Sequence, residues 1–311
     1  MKLIRGRQTT REQLSRRQTR DTDSAPEFML KTQDCVLGMR ALAAESVDIV
    51  VTSPPYNLGI NYTNYNDSRN RDEYLLWSLE WATEVRRVMR KDASFFLNLG
   101  AAPSNPLVPH ELIVELKKLF VLQNTFHWIK SITIQKSPGE HTSVGHFKPL
   151  HSKRFVNDCH EYVFHLTKEG NTPIDRLAVG VPYSDKSNIK RWNHTKGRDL
   201  RCRGNNWFIP YKTIVNRSKQ RPHPATFPSE LAVYCIKIHG SDSRTVMLDP
   251  FVGIGHAAIA AKACKVGRFI GFDIDPEYVR IARNSVRASS VSPEGAISGM
   301  RLISDPELFE I

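Results

Sequence analysis

The chain has 311 residues, of which 40% are hydrophobic and 24% charged, which is enough for one large or two modest domains with a buried core. This composition excludes a collagen, a wholly disordered chain and a small disulfide-rich scaffold. Lys and Arg number 44 against 32 Asp and Glu, and the net charge of +12 favours a polyanionic partner. The sequence has no signal-peptide pattern and no apolar run of the roughly 18 to 20 residues that a membrane span needs, and its cysteines are scattered. We therefore expect a cytoplasmic protein with reduced thiols and no membrane partner.

The two ends of the chain differ in composition from the rest. Residues 1–28 are rich in Arg, Gln, Thr and Ser and lack apolar periodicity, so we expect a flexible basic arm. Residues 291–311 are a weakly patterned C-terminal tail, in which Met300–Ile303 could add an edge strand. Between these ends the prediction is a folded domain over residues 29–169 and 222–290, with a basic region over residues 170–221 between its two parts.

The first half of this domain alternates between strand and helix patterns. Val47–Thr52 is a short β-branched run that stops at Pro54-Pro55, which predicts a buried strand followed by a rigid turn. Apolar residues then recur at spacings of three and four from Tyr74 to Val88, which predicts a helix. The elements predicted next are a strand over Ala93–Leu99, a helix over Glu111–Leu119, and strands over Val121–Ile129 and Glu161–Leu166. This alternation favours a mostly parallel α/β sheet covered on both faces.

The segment from Lys130 to Arg154 has the glycine-bearing and basic composition of an exposed loop. His141, His146 and His151 in this segment are five residues apart, which is not a metal-ligand spacing, and no metal is predicted. Cys159-His160 beside Glu161 resembles a nucleophile and base, but Glu161 opens a strand, and we interpret the segment as scaffold.

The excess of positive charge is concentrated between Lys186 and Arg221. This stretch holds eleven Lys and Arg against one acid, a net charge of +10. Such a cluster favours contact with phosphates, with a solvated basic face as the plainer alternative. Aromatic rings that could meet sugars or bases are interleaved with the charges, namely Trp192, Trp207, Phe208 and Tyr211.

The second half of the domain contains a complete strand–helix–strand unit. Its predicted elements are a helix over Pro228–His239, a strand over Thr245–Leu248, a helix over Ile254–Lys265, a strand over Phe269–Phe272 and a helix over Glu277–Arg287. The segment Asp249-Pro250-Phe251-Val252-Gly253-Ile254-Gly255 ends the first strand, and Asp273 closes the next strand 20 residues after Gly253. Glycines let a ligand approach the backbone, and an acid at this spacing can accept hydrogen bonds from ribose hydroxyls.

This pattern predicts a cofactor that carries a nucleoside without specifying which one. Gly253-x-Gly255-x-x-Ala258 also satisfies a dinucleotide fingerprint, so an NAD-dependent oxidoreductase is an alternative. Asp249 before the glycines opposes a pyrophosphate and suits a cationic amino acid or sulfonium group.

The segment Thr52-Ser53-Pro54-Pro55-Tyr56 carries a more specific signal, because it follows a predicted strand. Here the chain resembles the DNA amino-methyltransferases, whose catalytic motif (D/N/S)PP(Y/F/W) ends a strand beside the cofactor strand. The Ser form is found mainly in enzymes that act on N4 of cytosine. The resemblance also includes His223-Pro224-Ala225-Thr226-Phe227-Pro228 and the DPFVGIG segment with Gly271-Phe272-Asp273.

The order of these motifs resembles the permuted β-type arrangement, since the catalytic motif precedes the cofactor segment by about 200 residues with the basic region between them. The resemblance implies a Rossmann-like methyltransferase with a mostly parallel, doubly wound α/β sheet in circularly permuted motif order. It also implies an inserted target-recognition region over residues 170–221. S-adenosylmethionine is the implied cofactor, and duplex DNA is the implied partner.

The resemblance further implies roles for individual residues. The Ser53 hydroxyl and the Pro54 carbonyl, held by the rigid Pro54-Pro55 turn, would accept hydrogen bonds from the target amino group. Tyr56 would stack on a base flipped out of the duplex. The implied cofactor residues are Asp249, Phe251, Gly253 and Gly255 around the methionine end, Asp273 at the ribose, and Thr226 and Phe227 at the flank. The expected DNA-binding residues are Lys190, Arg191, Lys196, Arg198, Arg201 and Arg203.

The resulting hypothesis is a site-specific DNA methyltransferase that acts on N4 of cytosine within a restriction-modification system. N6-adenine methylation is the nearest alternative, and a DNA-binding module with a vestigial cofactor pocket is a second one. A separately encoded cognate restriction endonuclease and a homodimer are both compatible with this hypothesis.

Overall fold

The computed structural model describes residues 26–145, 147, 151–187, 189–192, 195, 197–210 and 226–289. Strands run over Glu27–Thr32 (β1), Val47–Thr52 (β2), Met89–Leu99 (β3), Val121–Ile129 (β4), Ser131–Ser137 (β5), Glu140–Gly145 (β6), His160–Thr167 (β7), Asn206–Phe208 (β8), Val246–Asp249 (β9) and Arg268–Asp273 (β10). Helices run over Cys35–Arg40 (α1), Arg71–Val88 (α2), Val108–Leu116 (α3), Ser229–His239 (α4), His256–Ala263 (α5) and Pro276–Ala288 (α6).

Eight of these strands form one sheet in the order β1-β10-β9-β2-β3-β7-β4-β8. Neighbouring strands are parallel except where β7 pairs with β3 and β4 in antiparallel register. The carboxyl ends of the parallel strands therefore meet at one edge of the sheet, and the first residues of β7 lie at that same edge. Open α/β sheets bind their ligands at this edge.

Both faces of the sheet are covered by helices. All six residues of β2 are buried, as expected for a central parallel strand. One hydrophobic cluster joins the sheet to α4, α5 and α6, and a second cluster joins the opposite face to α1, α2 and α3. The predicted doubly wound, mostly parallel α/β fold is confirmed.

Several element boundaries differ from the sequence prediction. The helix predicted from Glu111 begins at Val108, because Pro109 fits the first turn, where no backbone N–H is needed. The predicted N-terminal arm extends to residue 28, whereas β1 begins at Glu27 and pairs with β10, and the Phe28 ring stacks on Phe269 with centroids 5.8 Å apart. The predicted edge strand Met300–Ile303 lies outside the described residues.

The prediction of an exposed loop between Lys130 and Arg154 is wrong for its first part. Residues 131–145 form the β5–β6 hairpin, which turns at Gly139 with φ of +86°. Polar side chains join its two strands, with Thr133 Oγ1 and Ser143 Oγ 2.8 Å apart. The apolar residues of this hairpin are few, since Ile132 pairs with Val144 and Ile134 with Thr142, so its alternating pattern is short and mostly confined to β5.

The basic region contributes β8 to the main sheet. Its short run Asn206–Phe208 pairs with the end of β4, and the indole of Trp128 donates a hydrogen bond to the Ile209 carbonyl at 2.8 Å. This region is therefore joined to the catalytic sheet by backbone pairing. Among the described residues, no helix is long and apolar enough to cross a membrane.

Candidate active site

A cavity of about 810 Å³ opens at the carboxyl edge of the sheet, where β2, β9 and β10 end. It brings together segments that lie about 200 residues apart in the chain. The predicted catalytic and cofactor residues that line it are Ser53, Pro54, Pro55, Tyr56, Thr226, Phe227, Phe251, Gly253, Gly255 and Asp273.

The catalytic segment leaves β2 as a tightly held turn. Pro54 is buried, and the hydroxyl of Tyr74 on α2 donates a hydrogen bond to the Pro55 carbonyl at 3.0 Å. The Ser53 Oγ lies 2.6 Å from the Tyr56 Oη, and both side chains are half-buried. A polar hydroxyl and an aromatic ring therefore face the cavity from a fixed backbone.

The loop that follows Tyr56 is organised by the buried carboxylate of Asp67. This group accepts hydrogen bonds from the backbone N–H groups of Asn57, Leu58 and Ile60 at 2.8, 3.1 and 3.0 Å. Burial raises the pKa of Asp67, although these backbone donors oppose the shift. Further along the loop, the Asn64 amide donates to Asp275 at 3.0 Å, which ties the loop to the start of α6.

The glycine segment after β9 folds around the carboxylate of Asp273. Asp273 Oδ2 accepts the Gly253 N–H and Asp273 Oδ1 accepts the Asp275 N–H, each at 2.9 Å. Burial raises the pKa of Asp273. Gly255 has φ of +92°, and a Cβ there would lie 2.8 Å from the Ala282 Cβ, so glycine is required by both backbone and packing.

The structure places Asp249 beneath the cavity instead of in its wall, which corrects the expectation that this acid faces the ligand. Its side chain is 1% exposed, and its Oδ1 accepts hydrogen bonds from Thr52 Oγ1 at 2.5 Å and from the Phe251 N–H at 3.0 Å. Burial raises the pKa of Asp249 to about 7. Asp249 therefore links the end of β2 to the end of β9.

Aromatic and backbone groups complete the cavity wall. The Phe251 ring packs edge-on against Trp77 and Trp81 of α2, with centroids 5.7 and 5.5 Å away. The imidazole Nδ1 of His256 contacts the Phe227 carbonyl at 2.5 Å, where it must act as the donor. This contact holds the Thr226-Phe227 segment against the start of α5.

These residues fit S-adenosylmethionine. The cavity volume suits a nucleoside joined to an amino acid, and Asp273, held by two backbone N–H groups, presents a carboxylate to it for ribose hydroxyls. Gly253 and Gly255 let a ligand approach the backbone, and Phe251 offers an apolar surface.

Sequence reasoning missed three polar residues beside the Pro54-Pro55 turn, here called the catalytic turn, namely Asn98, Lys130 and Glu161. Glu161, interpreted from the sequence as scaffold, lines the cavity together with Lys130, and its carboxylate also accepts a hydrogen bond from the Asn98 amide at 3.0 Å. The missing signal was the antiparallel direction of β7. That direction places the first residues of β7 at the edge where the parallel strands end.

The described part of the basic region divides into exposed and packed cations. Lys190, Arg191, Arg198 and Arg201 are exposed. Arg203 is instead tied to the fold, since its Nε donates to the Val179 carbonyl at 2.8 Å and its guanidinium lies 5.3 Å from the Tyr234 ring centroid. The sixth predicted cation, Lys196, lies outside the described residues.

The aromatic residues of this region do not form the expected base-contacting surface as a set. Trp207 is fully buried and stacks on Phe126 with ring centroids 4.1 Å apart, because β8 belongs to the main sheet. Phe208 is half-buried, and Trp192 is 39% exposed beside Tyr183. Tyr211 lies outside the described residues.

Comparison with known proteins identifies relatives over most of the chain. Residues 47–284 match the family described as DNA methylase. The type II methyltransferase M.ScaI of Streptomyces caespitosus is 30% identical over 279 residues, which cover 86% of this chain and 83% of that protein. The DNA adenine methyltransferase YhdJ of Escherichia coli K12 is 24% identical over 263 residues, which cover 83% of this chain and 82% of that protein.

Solved structures share the fold. A PvuII DNA methyltransferase described as cytosine-N4-specific matches with a TM-score of 0.62 at 19% identity, covering 91% of this chain and 96% of that chain. A DNA modification methylase of Thermus thermophilus, solved as a complex with S-adenosyl-L-methionine, matches with a TM-score of 0.51 at 22% identity. That match covers 85% of this chain and 96% of the other.

The fold, the cavity and these relatives define a Rossmann-like DNA amino-methyltransferase of the β-type, as the motif order predicted. The chain belongs to the DNA methylase family and is of the restriction-modification type. The prediction of S-adenosylmethionine as the methyl donor is confirmed with the family.

Proposed function

We propose that this protein is a site-specific DNA methyltransferase that transfers a methyl group to N4 of cytosine in duplex DNA after flipping the base. The observation that carries the proposal is the position of Ser53. Its hydroxyl lies in the cavity wall at the carboxyl end of β2, 2.6 Å from the Tyr56 hydroxyl. This is the motif position at which DNA amino-methyltransferases carry Asp, Asn or Ser, and the Ser form is found mainly in enzymes that act on N4 of cytosine.

The chemistry requires acceptors more than a strong base. The cytosine amino group is a poor nucleophile because its lone pair is delocalised into the ring, and hydrogen bonds accepted from its N–H groups favour a pyramidal nitrogen. Ser53 Oγ and the Pro54 carbonyl are the proposed acceptors. The ring of Tyr56 supplies the stacking surface for the flipped base.

S-adenosylmethionine supplies an electrophilic methyl group on a sulfonium. The amino nitrogen forms a bond to the methyl carbon as the carbon–sulfur bond breaks and its electron pair remains on sulfur. The methylated nitrogen then loses a proton to water. The protein's part is alignment, which the rigid Pro54-Pro55 turn and its hydrogen bond from Tyr74 support.

The proposed cofactor contacts follow the cavity wall. Asp273 would accept the ribose hydroxyls, while Phe251, Gly253 and Gly255 would contact the methionine end. Thr226 and Phe227 would flank the cofactor, and Asp249 would act from below by fixing the β2 and β9 ends.

We propose that the exposed cations of the basic region, Lys190, Arg191, Arg198 and Arg201, contact DNA phosphates. The type II relative M.ScaI supports a separately encoded restriction endonuclease as a functional partner. The E. coli relative named as an adenine methyltransferase supports the alternative, N6-adenine methylation by the same site.

Nucleoside mass spectrometry of DNA from cells that express the protein tests the base assignment. We expect N4-methylcytosine in the wild-type sample and a lower level of it with the matched Ser53→Ala variant expressed at the same level. Wild-type DNA that contains N6-methyladenine and no N4-methylcytosine would refute the cytosine assignment and support the alternative.

A further inference from the structure

Glu161 lies at the centre of a polar cluster behind the catalytic turn. It accepts hydrogen bonds from the Tyr56 hydroxyl at 3.2 Å, from Asn98 Nδ2 at 3.0 Å and from Lys130 Nζ at 3.2 Å. The side chains of Lys130 and Glu161 are only 18% and 16% exposed, so the ion pair is shielded from solvent. The cluster therefore holds the Glu161 carboxylate in a fixed position beside Tyr56.

The packing around this contact leaves little freedom. A Cβ at Gly100 would lie 3.0 Å from the Tyr56 ring and 3.2 Å from the Glu161 side chain, so glycine permits the two to approach. Asn98 also donates to the Tyr162 carbonyl at 3.0 Å. Since both of its partners only accept, the orientation of the Asn98 amide is defined by them.

The direction of the hydrogen bonds follows from the chemistry of each group. An ionised carboxylate can only accept a hydrogen bond, so Tyr56 donates its single hydroxyl proton to Glu161. Burial, and then the nearby charge of Glu161, raise the pKa of Tyr56, so the phenol keeps that proton. The Tyr56 oxygen is then an acceptor toward Ser53 across the 2.6 Å contact, and Ser53 must be the donor. This arrangement leaves the lone pairs of Ser53 Oγ available to the cavity.

We propose that Glu161 is a positioning residue that acts through Tyr56 to preset Ser53 as a hydrogen-bond acceptor for the target amino group. This inference rests on the proposed role of Ser53. Without the carboxylate, the Tyr56 proton can turn toward Ser53 and occupy a lone pair that the amino group needs. The loss belongs to the methyl-transfer step, while cofactor and DNA contacts stay in place.

A double-mutant cycle between Tyr56→Phe and Glu161→Met tests this chain of contacts. Tyr56→Phe keeps the stacking ring and removes only the hydroxyl, and Glu161→Met keeps the side-chain length and removes the oxygen that accepts the Tyr56 proton. We expect each single variant to lower the single-turnover rate of methyl incorporation about tenfold at saturating DNA and cofactor. The double variant should be no slower than the slower single variant, because both changes break the same chain.

Three measurements accompany the cycle. Cofactor affinity and DNA affinity should change little in both single variants, and the melting temperature shows that each variant is folded at the assay temperature. The matched control Glu45→Gln alters an exposed glutamate that pairs with Lys168 at 3.4 Å, and should react at the wild-type rate. An unchanged rate for Glu161→Met, or an effect in the double variant equal to the product of the single effects, would overturn the proposal.

The double-mutant cycle measures the rate of methyl incorporation into DNA regardless of the base that is methylated. Its result is therefore independent of the cytosine assignment. Non-additive rates together with N6-methyladenine as the wild-type product would retain Glu161 as a positioning residue and refute only the base. If Glu161→Met does not fold, the cycle is run with Tyr56→Phe and Ser53→Ala. Rate losses that multiply in that pair would overturn the contact chain at its last step.

Discussion

At the scale of single residues, the site depends on polar groups that join the ends of separate strands. Thr52 ends β2 and Asp249 ends β9, and the hydrogen bond between them fixes the catalytic turn relative to the glycine segment. Asp273 at the end of β10 binds the Gly253 N–H and completes the connection. A change in any of these groups should therefore affect both stability and ligand binding.

Asp249→Asn should change the pH dependence of stability in the cofactor-free protein. Burial raises the pKa of Asp249 from 3.8 to about 7, so the folded state binds more protons than the unfolded state between these values. The free energy of unfolding therefore falls as pH rises from about 4 to about 7 and then levels off. Asparagine can still accept the Thr52 and Phe251 hydrogen bonds, and should recover on the order of 2 kcal/mol at pH 8.

Melting temperatures from pH 4.5 to pH 8.5 check this expectation. The variant should melt above the wild type at pH 8, and the difference should shrink toward pH 4.5. Asp48→Asn is the matched control, because Asp48 is also buried but pairs with Arg90 at 3.3 Å, and its variant should melt below the wild type at pH 8. An Asp249→Asn protein that melts below the wild type at pH 8 would contradict the assignment.

Asp273→Ala should weaken S-adenosylmethionine binding by about 1.5 to 3 kcal/mol, the size of lost hydrogen bonds to a charged acceptor. Its carboxylate lines the cavity and is held by two backbone N–H groups. Calorimetric titration measures the loss, with Glu277→Ala as a control. Glu277 lies nearby on α6 and is bonded to Arg280. Wild-type affinity in Asp273→Ala would remove this residue from the cofactor site.

Ser53, Tyr56, Gly253 and Asp273 could be predicted as site residues because they belong to the motifs that carry the resemblance to the DNA amino-methyltransferases, and each motif follows or closes a predicted strand. Glu161 was not predicted as a cavity residue, since its contact with Tyr56 spans 105 residues and depends on the direction of β7. Asp67 was missed for a different reason. A lone acid in a loop gives no sequence signal that its carboxylate binds three backbone N–H groups.

At the scale of elements, the buried central strands and the amphipathic helices were predictable and the edges were not. β2 and α2 carry strong apolar patterns, and the structure has them as Val47–Thr52 and Arg71–Val88. β8 is three residues long in a basic region, and its pairing with β4 comes from tertiary contacts. The β5–β6 hairpin alternates apolar and polar residues only over Ile132 and Ile134, a run too short to stand out in a basic, glycine-bearing segment.

Different cations of the basic region should affect DNA binding and folding stability. Neutralising Lys190, Arg198 and Arg201 together should weaken DNA binding and flatten its salt dependence by up to about three units of slope if all three contact phosphates. These side chains are exposed, so the melting temperature should hold. The measurement is the DNA-binding constant across a series of salt concentrations. An unchanged slope of log K against log salt concentration would mean that these three residues do not contact the DNA.

Arg203→Ala is the matched variant within the same region. It removes the hydrogen bond to Val179 and the contact with the Tyr234 ring, so it should lower stability by about 1 to 2 kcal/mol. Denaturant titration measures this loss. An Arg203→Ala protein of wild-type stability would mean that these contacts contribute little to the fold.

At the scale of the whole molecule, the permuted order of motifs is compatible with one site because the sheet order brings the parts together. β2 lies beside β9, and β9 lies beside β10, so the catalytic turn and the glycine segment end at the same edge. The net charge of +12, of which +10 lies between Lys186 and Arg221, favours association with a polyanion. The molecule thus combines attraction of DNA with one fixed place for methyl transfer.

The most direct measurement is the single-turnover rate of methyl transfer by Ser53→Ala on saturating DNA and cofactor. Alanine removes one acceptor but leaves the Pro54 carbonyl and the Tyr56 ring, so both affinities should change by less than about 1 kcal/mol. The control is Ser46→Ala. Ser46 precedes the first residue of β2, at the other end of the strand from Ser53, and its hydroxyl donates to the Ala43 carbonyl at 2.7 Å. This variant should keep the wild-type rate. We expect Ser53→Ala to lose about a hundredfold in rate, because a preorganised acceptor contributes most in the transition state. A Ser53→Ala protein that transfers methyl groups at the wild-type rate would contradict the proposed chemistry.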